Sequence, residues 1–179
     1  MGMSSVLNGS VAQESNNEVY RVPRSAAVVG SKIVVMGGHG RDGKTLSSAE
    51  MFDMETRTWT ELPAMAERKH WHSATAFEGK VYVTGGVDNS DEPWNEVAVL
   101  DMETKQWSTA PKLRGREHCG RRDHVSGVAG GKLLIVGGTQ GHLGGRHYLG
   151  TDTFDGHTFD RSMAGQTEYW IDTRSNTAR

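Results

Sequence analysis

The chain has one cysteine, Cys119, in 179 residues, so no internal disulfide framework can hold it together, and such sparing use fits a reducing, cytoplasmic setting. It has no window approaching 18 consecutive apolar residues, which excludes a membrane-spanning helix. The N-terminal MGMSSVLNGS lacks a basic stretch followed by an apolar run, so no signal peptide is expected, and Val6 stands where a myristoylation pattern wants Ser or Thr. Charge of one sign is also lacking. The formal net charge is −2, so no bulk field draws nucleic acid or a membrane surface, and neither is expected as a partner. Apolar residues are scarce at 35%, whereas glycine occurs 23 times, a mixture that suits many short strands joined by turns better than long packed helices.

A repeat is present. FDMETRTW (52–59) returns as LDMETKQW (100–107), and upstream of these lie SKIVVMGG (31–38) and GKVYVTGG (79–86), with a third copy, GKLLIVGG (131–138), further on. The glycine doublets Gly37-Gly38, Gly85-Gly86 and Gly137-Gly138 are 48 and 52 residues apart. Each first glycine lies 22 residues before an aromatic, namely Trp59, Trp107 and Phe159. KIVVM, KVYVT and KLLIV are rich in β-branched residues and too short for buried helices, so they predict strands covered on both faces. The doublet that ends each strand predicts positive φ or close backbone approach. SAAVV (25–29), HSATAF (72–77) and HVSGVA (124–129) predict small-residue strands before these. AEMFD (49–53), EVAVLD (96–101) and LGTDTFD (149–155) predict strands after them, and each aromatic begins an outer strand. Four antiparallel strands with small residues inside and a large aromatic outside make a wedge. Lys32, Lys80 and Lys132 are expected as solvated ends of tight turns.

An apolar strand ending in Gly-Gly, an aromatic before an Asp-containing turn and a Trp about six residues later resemble the kelch repeat, over a period near its usual 50. Leu100 replaces the first aromatic in the second copy, and Phe159 replaces Trp in the third. The resemblance implies an all-β fold of kelch-type β-propeller blades, three in this chain, as an incomplete ring or half of a dimeric six-bladed ring. The implied organisation is a disordered segment over 1–17, three blades within 18–160 (about 24–65, 72–112 and 123–160) and a polar C-terminal tail over 161–179. EVYRVPRS (18–25) could supply an outermost strand to a neighbouring blade.

Two other patterns carry chemistry only in a context that the repeat denies them. Gly38 to Thr45 spells G-x-x-x-x-G-K-T, with Lys44 and Thr45 at the phosphate and Mg²⁺ positions and Asp101 imitating a metal-supporting acid. That loop needs a helix directly after it, and the repeat assigns LSSAEMFDMETRTW (46–59) to a strand and a turn. His70, His72, His118, Cys119 and His124 do not have zinc-finger spacing, so no metal or other cofactor is expected.

The loops after the doublets and those leading to each innermost strand should emerge on one face. That face would gather Arg24, Arg41, Arg68, Arg116, Arg121, Arg122 and Arg146 with His70, His72, Trp71 and Trp94. Arginine forks suit carboxylates, and arginine with exposed aromatics anchors interfaces. In kelch substrate adaptors such arginines hold acidic peptides, and the resemblance implies a protein or acidic-peptide partner with no catalysis. The alternatives are a kelch-type enzyme acting on a small polar molecule such as a sugar acid, or a half-propeller whose role is to self-assemble as a homodimer.

Overall fold

A computed structural model describes residues 25–90, 94–113, 120–140, 146–147, 151–154, 159–162, 171–172 and 177–178. These described residues contain no helix, and so none long and apolar enough to cross a membrane. The first sheet runs β1 (Ala26–Val29), β2 (Lys32–Met36), β3 (Ala49–Asp53) and β4 (Thr58–Leu62) in spatial order, all antiparallel. β5 (Ser73–Phe77), β6 (Lys80–Thr84), β7 (Val97–Asp101) and β8 (Trp107–Ala110) repeat it. After the short β9 (Arg121–Arg122), the third sheet takes β10 (Val125–Ala129) and β11 (Lys132–Val136), then β14 (Thr151–Phe154) and β15 (Phe159–Ser162). The intervening β12 (Thr139–Gln140) and β13 (Arg146–His147) form a side ribbon with β9. Near the end of the chain β16 (Ile171–Asp172) pairs with β17 (Thr177–Ala178). The sheets expected from the repeat are thus present, and no helix starts at Lys44.

The innermost strands set the stacking. β5 lies beside β1 on one side and β10 on the other, so among the described residues the sheets form an open series rather than a closed ring. Between the first two sheets, Ala27, Val34, Met36, Ala49, Met51 and Leu62 meet Val81, Val83, Ala98 and Leu100. Between the second and third, Phe77, Tyr82, Val97 and Val99 meet Leu133, Ile135 and Phe154. Each fully buried Val or Leu contributes roughly 1.5–3 kcal/mol, so face-to-face packing of sheets carries most of the stability. Small Ala74 and Ala76 on β5 let the inner strands approach each other, and the taper follows from sequence.

The register explains why one phrase is spelled twice. Phe52 pairs with Trp59, Leu100 with Trp107 and Phe154 with Phe159, so the aromatic opens the fourth strand in the second and third sheets and stands second, after Thr58, in the first. Asp53 Oδ1 accepts the backbone N–H groups of Glu55 (2.9 Å) and Thr56 (3.2 Å), and Asp101 Oδ1 accepts those of Glu103 and Thr104 (both 3.0 Å). Arg57 and Lys105 then take the left-handed conformation, with φ of 58° and 59°. The same aspartates bind Lys32 (3.1 Å) and Lys80 (2.5 Å) on the neighbouring strand, and the pairing holds both carboxyls below the usual range. Lys32 and Lys80 are therefore not simply solvated turn ends, because the register sets each opposite an aspartate. Trp107 reaches back to the preceding sheet, its indole N–H donating to Pro63 O at 2.6 Å.

Candidate functional site

The loop end of the sheets is built on the glycine doublets. Gly37 and Gly38 have φ of 60° and 87°, and Gly85 and Gly86 have 59° and 93°, a conformation other residues adopt only under strain. Space is limiting as well. A Cβ on Gly37 would sit 2.7 Å from His72 Cε1, and one on Gly85 would sit 2.8 Å from His124 Cε1. Gly38 N–H donates to Lys69 O at 2.8 Å, and Gly86 N–H donates to Arg121 O at 2.7 Å. The second glycine is crowded by its own sheet: a Cβ on Gly86 would meet His70 O at 2.8 Å, and one on Gly138 would meet Arg122 O at 2.7 Å. Each approach segment, 69–72 or 121–124, is thus seated on the preceding doublet and backed by its own.

This seat accounts for several side chains. His72 and His124 are buried where their rings cover the glycines of the previous sheet. His124 Nε2 lies 2.7 Å from Thr84 Oγ1. Burial, then the nearby Arg121 and His72, push its pKa down to about 3, so the ring is neutral at ordinary pH. Arg121 and Arg122 are also buried, with Arg121 Nη1 3.5 Å from Ile135 O and Arg122 set over the Trp71 ring, 5.2 Å from its centroid. His70 is buried between His39 and Trp71, at centroid distances of 4.1 and 4.6 Å, and its Nδ1 lies 3.0 Å from Thr45 Oγ1. Of the residues expected on the loop face, the exposed ones are Arg41 and Arg68, and Trp71 and Trp94 are half-buried. His70, His72, Arg121 and Arg122 are corrected from rim positions to the layer beneath it, because the doublets draw their backbone inward. Arg24 and Arg116, like segments 1–17 and 18–24, lie outside the described residues. For Arg146 the backbone alone is described, paired with Gln140.

The loop layer is continuous from sheet to sheet. His70 bridges Val87, Arg121 N–H donates to Trp94 O at 3.0 Å, and Asp123 N–H donates to Trp71 O at 3.1 Å. Trp71 and Trp94 therefore belong to one surface with the approach segments. The phosphate-loop spelling is absorbed into it: Thr45 is fully buried, Lys44 pairs with Asp42 at 2.9 Å, and Asp101 is held by Lys80. Among the described residues no group of three or more His, Cys, Asp or Glu side chains could hold a metal ion, and His118 and Cys119 lie outside them.

One buried group was not signalled by the loop reading. Lys69 is fully buried, its Nζ has no hydrogen-bond acceptor, and it lies 5.4 Å from the centroid of Trp94. Burial lowers its pKa, against the opposing pull of Glu67 and Glu96. A signal did exist: Lys69 and Arg121 each stand 16 residues before a doublet, and His72 and His124 stand 13 before. Lys69→Met should therefore stabilise the fold by on the order of 1–3 kcal/mol in urea unfolding at neutral pH, because an apolar chain of similar volume removes a buried cation that has no hydrogen-bond acceptor.

The comparisons agree with this architecture. A family model described as the KLHDC2/KLHL20/DRC7 Kelch-repeats domain matches residues 9–176. An F-box/kelch-repeat protein of Arabidopsis thaliana is 46% identical over 62 residues, which is 35% of this chain and 16% of that protein. The match thus spans about a sixth of the relative's length. With three copies of one four-stranded sheet, each doublet followed by its aromatic in the same register, the chain belongs to the kelch-repeat domain family.

Proposed function

We propose that the chain is a protein-interaction module that takes an acidic peptide segment of its partner on the loop face, and that it catalyses no reaction. The observation that carries this reading is the pairing of half-buried aromatics with cations in that layer: Arg122 over Trp71 and Lys69 over Trp94. Rigid aromatics backed by positive charge are what an interface anchor needs, and they lose little entropy on binding. Arg41 and Arg68 are exposed beside this layer, and a guanidinium fork suits a carboxylate. The sheets below supply rigidity, and the loops supply recognition.

Because Arg121 and Arg122 are buried, replacing them would disturb the fold, and the test belongs on the exposed pair. Tryptophan fluorescence titrated with a glutamate-rich peptide should show saturable binding that weakens with added salt. The double variant Arg41→Ala/Arg68→Ala should bind about 5-fold more weakly, the loss expected of two exposed charge contacts. Equal binding of a neutral peptide of the same length, or an unchanged, salt-insensitive affinity in the variant, would remove the site from this face.

A further inference from the structure

The loop layer holds more buried donors than acceptors. Lys69 Nζ, Trp94 Nε1 and both Nε and Nη1 of Arg122 are buried without a hydrogen-bond partner, whereas no buried side-chain oxygen among the described residues lacks one. A buried donor left unbonded carries its full desolvation cost, so several in one layer ask for a reason.

Two of these donors are brought together by the backbone. Lys69 N–H donates to Leu46 O at 3.1 Å, and Lys69 O accepts from Gly38 N–H. Trp94 N–H donates to Gly86 O at 2.7 Å, and Trp94 O accepts from Arg121 N–H. Lys69 Nζ then stands 5.4 Å from the centroid of the Trp94 ring. The carboxylates that act on this ammonium, Glu67 and Glu96, do not bond to it, and Glu96 is bonded to Lys112 at 2.6 Å instead. Lys69 is fully buried and Trp94 half-buried, so the tryptophan is where the pair meets the loop face. A site whose backbone is already fixed needs little ordering when a ligand arrives.

We propose that Lys69 Nζ and the Trp94 indole N–H together hold an oxyanion, a phosphate or carboxylate group that enters beneath the Trp94 ring from the loop face. Ammonium and indole nitrogens only donate, and an oxyanion offers several acceptor oxygens together with a charge that Lys69 can bond. A buried cation without an acceptor lowers the stability of the empty protein, a cost that a binding site retains for its function.

Inorganic phosphate tests this in urea unfolding of the 179-residue chain, with potassium chloride at matched ionic strength as the control. Phosphate should raise the wild-type midpoint saturably, as a ligand of the folded state does. Lys69→Met, the more stable protein without phosphate, should lose the saturable response. Trp94→Phe, which keeps an aromatic ring but not the N–H, should weaken the apparent affinity roughly 5-fold, the worth of one hydrogen bond. Equal responses in wild type and Lys69→Met would mean that phosphate acts only by exclusion from the protein surface, and would overturn the proposal. So would a wild type that phosphate does not stabilise. Competition separates a free ion from a partner's acidic side chain: phosphate that weakens binding of the glutamate-rich peptide assigns the site to the peptide's carboxylate, and phosphate that leaves it unchanged assigns it to a free ion. The inference rests on the loop-face reading only in that last arm. Arg41→Ala/Arg68→Ala should keep the phosphate response, so failure of one reading is told apart from failure of the other.

Discussion

Gly85→Ala should unfold the protein, or come close to it, whereas Gly43→Ala should be a mild variant. Both glycines have positive φ, 59° and 74°, so a side chain costs roughly 1–2 kcal/mol of backbone strain at either position. They differ in surroundings. A Cβ on Gly43 would meet nothing within 4 Å, but on Gly85 it would drive into the backbone of Arg121 and the His124 ring. Neither can retreat, because Arg121 O is bonded to Gly86 N–H and His124 is packed against Thr84. The expected loss at Gly85 is on the order of 3–5 kcal/mol, a large share of a small domain's stability. Urea unfolding of the two variants side by side measures the difference. Equal losses would mean that the seat between sheets does not constrain the doublet.

Mild acid should destabilise the fold before any carboxylate is protonated, and His124 should be the cause. Its folded pKa is pushed down to about 3 from 6.5, chiefly by burial. Between those values the unfolded chain takes up a proton that the folded chain refuses, so the stability contributed by the neutral ring is complete above about pH 6.5 and is lost as pH falls toward 3. The slope is at most about 1.4 kcal/mol per pH unit. Asp53 and Asp101 also have lowered values, but their contributions disappear only below the ordinary carboxylate range near 3.8. Glu96 is likewise lowered from an ordinary 4.5, so the interval from about pH 6.5 to 5.5 is the one that lies above the carboxylates. In that interval His124→Gln, which keeps a hydrogen-bonding group near Thr84 but does not titrate, should flatten the dependence of the urea midpoint on pH. An unchanged slope would assign the proton uptake to another group.

Much of the architecture was legible because the chain states it three times. A strand's run of β-branched residues, the doublet and the distal aromatic are local signals, and their constant interval fixes the register of Phe52 with Trp59 and Leu100 with Trp107. The pairing of Lys32 with Asp53 was less visible, because it joins adjacent strands 21 residues apart rather than neighbours in sequence. The site was the hardest part. Lys69, Arg121 and Arg122 are charged, and charge in a loop ordinarily means water. What draws the backbone of Lys69 and Arg121 inward is contact with the glycines of another repeat, and no single repeat contains both sides of that contact. Comparing the repeats as aligned copies, rather than collecting their arginines, would have marked the positions 16 and 13 residues before each doublet as part of the frame. In the first repeat Arg21 and Arg24 occupy those two positions, outside the described residues.

A single seam, made twice from equivalent residues, joins the sheets. Proton NMR of the folded chain measures it through nuclear Overhauser contacts from the histidine Hε1 protons. The Hε1 of His72 should show a strong contact to the Hα protons of Gly37, and the Hε1 of His124 should show the matching contact to those of Gly85. Both cross-peaks, at similar intensity, are the predicted result. A spectrum in which only one appears, or in which either ring contacts the glycines of its own sheet instead, would contradict the equivalence on which everything else rests.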